Sequence, residues 1–128
     1  MPVRMRLSAI TLDCPDPLAL AAFYQRAAGL ALHPGSGPDF ASLTGEHGIF
    51  LAFQCAAAHR PPTWPDDDVP QQLHCDFTVQ DLDEAEARLL HLGATRPDRQ
   101  PEPARWRVLI DPAGHPFCIT APTVQPGR

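Results

Sequence analysis

Along residues 7–30, LSAITLDCPDPLALAAFYQRAAGL, apolar and polar side chains alternate up to Asp16 and then take up a helical spacing. That change of period predicts a strand followed directly by a helix. Asp16 is placed to cap the helix and Pro17 to open it, where no amide hydrogen is needed. Leu20, Phe23, Ala27 and Leu30 form the apolar stripe, and Gly29 marks the stop. Residues 73–93 repeat the pattern. LHCDFTV reads as a strand, Asp81 as the cap, and Glu84 three residues later as the second half of a capping box. Leu82, Ala85, Leu89 and Leu92 supply the stripe before Gly93. The two halves match with Asp16 over Asp81.

Each predicted helix is followed by three short extended segments. They are LALHPG, DFASLTG and GIFLAFQ in the first half, and ATRPD, RWRVLID and PFCITA in the second. TGEHG and DPAGHP read as the hairpin turns between them. Each half is therefore expected to be βαβββ, with one sheet face covered by its own helix and the other left for a partner. The fold class that follows is α+β: two tandem modules forming a curved, incompletely closed mixed sheet around a cleft, helices outside. Module one spans residues 5–55, a linker 56–71, module two 72–122 and a tail 123–128. Proline, 16 residues in all, concentrates in PPTWPDDDVP and PDRQPEP and assigns those stretches to the linker and to a hairpin loop.

At 128 residues the chain is about one domain's worth, enough for a real core. Its net charge of -5 offers no electrostatic footprint for nucleic acid or for an anionic membrane surface. No run approaches the roughly 18 apolar residues of a membrane span, and the N-terminus lacks a signal-type apolar core, so a cytoplasmic, soluble protein is expected. Cys14, Cys55, Cys75 and Cys118 are scattered without a CxxC pair, which suits small buried thiols in a reducing compartment better than a disulfide framework or a structural zinc site.

The duplicated order, with LDCPDPLALAAFYQ in the first half and LHCDFTVQDLDEAEARLLHLGA followed by WRVLIDPAGHPFCI in the second, resembles the vicinal oxygen chelate superfamily. The likeness is to its small glyoxalase-like or bleomycin-resistance-like members, and it covers almost the whole chain as a single domain of that type. It implies paired modules, a homodimer, and, in metal-dependent members, ligands on the first and fourth strands of each module, His or Gln first and Glu last. Carried over position by position, those ligands become Ala9, Gln54, His74 and Cys118. Ala9 has no donor and no position is a carboxylate, so a hard dication is not expected. Zinc could use His74 and Cys118 with Gln54, a set short of three firm ligands. The expectation is a site without metal or other cofactor.

Strand alternation sends Ala9, Thr11 and Asp13 to the cleft, and likewise His74, Asp76 and Thr78, while Ile10, Leu12, Cys14, Cys75, Phe77 and Val79 face the helices. With Gln54, Trp106 and Cys118, the residues Thr11, Asp13, His74 and Asp76 make the candidate ligand contacts of a pocket that is apolar with a few placed polar groups. His74, Asp76 and Cys118 are the candidates for catalysis: His74 as base, Cys118 as a thiolate beside it, and Asp13 with Asp76 as an acid–base pair. Each also has a plainer role as a polar contact or a space-filling strand residue. Trp64 in the linker covers either the pocket or a dimer partner. Asp66, Asp67 and Asp68 read as a solvated turn, and Arg96, Arg99, Arg105 and Arg107 as a solvated hairpin.

The leading expectation is a metal-free, dimeric small-molecule-binding protein of the resistance or sequestration type. The alternatives are a metal-independent lyase, isomerase or hydrolase in the same cleft, a weak metal-dependent glyoxalase-type enzyme, and a ligand-sensing or structural dimer module.

Overall fold

Two helices and two mixed sheets make up the protein in a computed structural model that describes residues 2–122; the expected tail lies outside the described residues. The chain divides into two units, residues 1–59 and 60–128, at a boundary inside the expected linker. No helix among the described residues is long and apolar enough to cross a membrane.

In the first unit β1 (Ala9–Cys14) leads into α1 (Pro17–Ala28), then β2 (Ala31–Leu32), β3 (Phe40–Thr44) and β4 (Phe50–Cys55). The Asp16 side chain accepts from the amide of Ala19 at 3.1 Å, and Pro17 occupies the first turn. Gly29 closes the helix in the left-handed region at φ 69°, which a residue without Cβ adopts at little cost. The strand order is β1-β4-β3-β2, with β1 parallel to β4 and the other pairs antiparallel. Leu12 and Cys14 are buried while Ala9, Thr11 and Asp13 are exposed, so the expected alternation of β1 holds. Leu20 and Phe23 of the stripe are buried, and Tyr24, which the stripe left out, stacks on Phe53 at 5.7 Å. In TGEHG the turn is a short 3-10 segment, Glu46–Gly48.

The second unit holds β5 (Cys75–Thr78), α2 (Leu82–Leu92), β6 (Trp106–Ile110) and β7 (Pro116–Thr120) in the order β5-β7-β6, with β5 parallel and β6 antiparallel to the central β7. Asp81 caps α2, its carboxylate accepting from the amide of Glu84 at 3.0 Å. Leu89 is buried, whereas Leu82, Ala85 and Leu92 are only half-buried. The helix lies against β7, and Phe77 meets Phe117 edge-on at 6.0 Å.

ATRPD does not become a strand. Only an isolated bridge joins Thr95 to Ile110, because Pro97 brings no amide hydrogen to continue a ladder. The edge of β6 is served instead by the side-chain amide of Gln100. Its Oε1 accepts from the amide of Val108, and its Nε2 donates to the Val108 carbonyl, both at 2.9 Å. One side chain thus does what a neighbouring peptide unit would do. The arginines expected to be solvated are partly engaged: Arg107 pairs with Asp83 at 2.8 Å and Arg96 with Glu86 at 2.9 Å, tying β6 and the preceding loop to the acidic face of α2.

Candidate functional site

Sheet register decides what the second unit presents. Asp76 of β5 is paired with Cys118 of β7, and Cys118 with Val108 of β6, so these three form one row across the sheet. Paired residues share a face and residues two apart share it too. His74, Pro116 and Trp106 therefore join the same surface, while Cys75, Phe77, Phe117 and Ile119 fall on the opposite one. The tight DPAGHP turn holds this register: the buried Asp111 carboxylate accepts from the amides of Ala113 at 2.9 Å and His115 at 3.0 Å. Gly114 sits there at φ 93°, where a Cβ would also collide with Pro61.

Over that surface lies a cavity of about 380 Å³, lined by Trp64, Gln71, His74, Asp76, Pro101, Trp106, Val108, Pro116 and Cys118. Its volume is at the lower end of small-molecule sites. Trp64 comes from a loop closed on itself by Thr63, whose hydroxyl accepts from the amide of Val69 at 3.0 Å and whose own amide donates to the Val69 carbonyl at 2.8 Å. The Trp64–Pro65 peptide is cis. Gln71 contributes an Oε1 that is buried and accepts no hydrogen bond. A buried acceptor without a donor is costly, and a donor supplied by a bound molecule would offset that cost.

The polar end of the cavity is a three-residue cluster. His74 Nε2 stands 3.4 Å from Asp76 Oδ1, both side chains over a third exposed, while Cys118 is buried at 6%. One nitrogen of His74, one oxygen of Asp76 and the Cys118 sulfur all lie within 4.8 Å of one another. His74 immediately precedes β5 rather than lying inside it, and keeps the strand's alternation.

Of the residues expected to contact ligand, His74, Asp76, Trp106 and Cys118 thus come together on one wall of the second unit. Thr11, Asp13 and Gln54 belong to the first unit, where all three are exposed and Asp13 is the register partner of Gln54. Trp64 is on the pocket wall. Gln71 and Pro101 had no periodic signal to flag them, since both lie in irregular segments.

The thiols of this region differ in environment. Cys75, on the helix side of β5, has its pKa raised by burial first and then by the charges of Asp76 and Asp111. Less of it is thiolate at neutral pH, so it should react slowly. Iodoacetamide is expected to label the exposed Cys55 well before Cys75, as read by peptide mass spectrometry; comparable labelling of the two would contradict this environment. A thiol whose pKa is raised by folding contributes stability that is present below its unfolded pKa, and that contribution is lost as pH rises through the folded one.

The donor set bears on the metal that relatives use. Ala9, at the first of the four family positions, has no donor, and Gln54 offers only a neutral amide. One imidazole, one carboxylate and one thiol do not satisfy an ion that wants near-octahedral oxygen ligands. An Mg- or Mn-type ion does not fit.

Comparison with known proteins places the fold. A fosfomycin resistance protein from Listeria monocytogenes, crystallised with Mn(II) and 1S,2S-dihydroxypropylphosphonic acid, is 22% identical with a TM-score of 0.70, over 95% of this chain and 94% of that one. A possible glyoxalase from Bacillus cereus is 18% identical with a TM-score of 0.69, over 91% and 99%. A glyoxalase-related enzyme from Fulvimarina pelagi is 23% identical with a TM-score of 0.67, over 96% and 92%. No curated protein matches the chain. The family model described as a glyoxalase-like domain matches residues 9–120, nearly the whole of the described structure. The chain belongs to the glyoxalase-like domain family of the vicinal oxygen chelate superfamily.

Proposed function

We propose that this protein binds a small molecule of apolar or aromatic character in the cavity of its second unit, as a resistance or sequestration protein does, and that it does so without an Mg- or Mn-type ion. The observation that carries the reading is the composition of one wall: the indoles of Trp64 and Trp106 with Pro101, Pro116 and Val108, set against the cluster of His74, Asp76 and Cys118. Flat apolar surface supplies affinity, and a few convergent polar groups orient the ligand. Asp76, Cys118 and Val108 stand on hydrogen-bonded strands, so binding need not order the backbone that carries them.

The test uses the indoles as reporters. A panel of planar aromatic and apolar compounds is titrated against tryptophan fluorescence, with binding confirmed by calorimetry. At least one compound should saturate the signal at one per chain, with an affinity indifferent to added Mg²⁺ or Mn²⁺. Trp106→Ala should weaken that compound by about 30-fold, the equivalent of about 2 kcal/mol for a truncated aromatic anchor. A saturating compound whose affinity ignored Trp106→Ala and His74→Ala alike would place binding elsewhere and overturn the reading.

A further inference from the structure

His74, Asp76 and Cys118 bring an imidazole, a carboxylate and a thiol within 4.8 Å of one another. A charge-assisted hydrogen bond between an imidazolium and a carboxylate closes to about 2.7–2.9 Å, yet His74 Nε2 and Asp76 Oδ1 stand at 3.4 Å. That is the edge of a coordination tetrahedron: with metal–nitrogen and metal–oxygen bonds of about 2.0–2.2 Å, the two donors are about 3.4 Å apart. A sulfur at about 2.3 Å from the same centre stands about 3.6 Å from each of them. The Cys118 sulfur is within 4.8 Å of both, a gap that rotations of the exposed His74 and Asp76 side chains can close.

The arrangement also argues against a nucleophilic relay. A thiol–imidazole–carboxylate relay needs the carboxylate on one ring nitrogen and the thiol on the other. In this cluster a single His74 nitrogen lies within 4.8 Å of both partners, so the thiol and the carboxylate stand near the same ring nitrogen.

We propose that the second unit by itself holds one zinc-class cation through His74, Asp76 and Cys118, leaving a fourth position open toward the cavity. This departs from the four-position pattern of the metal-dependent relatives, which draws on both modules. It replaces the missing donors with Asp76, two residues beyond His74 on the same face. A thiolate in a set of three selects a soft or borderline ion such as Zn²⁺ over Mn²⁺ or Mg²⁺. Three protein ligands with one open position is the arrangement of zinc sites that bind an exogenous molecule. The proposal does not depend on which compound the cavity takes.

Chelator-treated, reduced full-length protein is titrated with Co²⁺ as a coloured stand-in for Zn²⁺, and metal content is measured after dialysis against Zn²⁺. The expected result is one ion per chain, a thiolate-to-cobalt charge-transfer absorption, displacement by Zn²⁺ and none by excess Mn²⁺. Cys118→Ser should abolish the absorption. Asp76→Asn should weaken binding by more than about 100-fold, beyond the 10–100-fold typical of residues that only orient ligands. Gln54→Ala should leave the affinity unchanged. Absence of stoichiometric binding, or binding without the thiolate absorption, overturns the proposal. So does a loss in Gln54→Ala equal to that in Asp76→Asn, which would place the ion on the two-module pattern. Should Cys118→Ser fail to fold, Asp76→Asn carries the test, since that side chain is exposed. The readings use the metal alone, so they stand or fall separately from small-molecule binding.

Discussion

Replacing Phe53 by alanine should lower the unfolding free energy by about 3–5 kcal/mol. The ring is fully buried at the middle of β4, between its register partners Leu12 of β1 and Ala41 of β3, and it stacks on Tyr24 of the helix. Deleting it removes the transfer free energy of a large apolar side chain and leaves a void. Sheet neighbours on both sides prevent that void from collapsing. Against a typical domain stability of about 5–15 kcal/mol, the loss is about a fifth of the whole or more. Urea denaturation followed by circular dichroism measures it as a shift in midpoint. A loss below about 1 kcal/mol would mean that the cavity closes, and that Tyr24 moves into it.

Asp111→Ala should cost about 3 kcal/mol, from two hydrogen bonds to a charged acceptor at about 1.5–3 kcal/mol each, less what the half-exposed amides regain from water. The carboxylate is 3% exposed, and its Oδ1 accepts from the amides of both Ala113 and His115. Asp111→Asn keeps an acceptor at the same place and should recover most of the loss. An Asn variant as damaged as the Ala variant would show that the charge holds the turn. The effect reaches the cavity because this turn sets β6 against β7. A slip of β6 by one residue against β7 would carry Trp106 and Val108 to the helix side of the sheet.

Both helices were legible in the sequence because their signals are local. Asp16 with Pro17 and Gly29, and Asp81 with Gly93, mark ends through contacts a few residues long. The alternation of β1 likewise reports a sheet with one face covered. What failed to show was decided by non-local competition. ATRPD has the look of a strand, but its place beside β6 is taken by the amide of Gln100, which no periodicity announces. In the site, the family pattern marks His74 and Cys118, and a place in a strand marks Trp106. The four family positions do not include Asp76, which enters only as a ligand contact and not as a metal donor. Its closeness to His74 follows from strand alternation, but its closeness to Cys118 depends on the pairing of β5 with β7. Gln71 was missed because burial of a loop amide leaves no mark on local composition.

The parallel pairings have a kinetic side. Strands β1 and β4, and again β5 and β7, meet across loops of about forty residues, so each pairing must close a long loop before any contact rewards it. The hairpin of β6 and β7 needs only the short turn at Asp111. An early species built on that hairpin would already present Trp106, Val108 and Cys118, with His74 and Asp76 still elsewhere. The cluster on the cavity wall is thus complete only once β5 has docked beside β7.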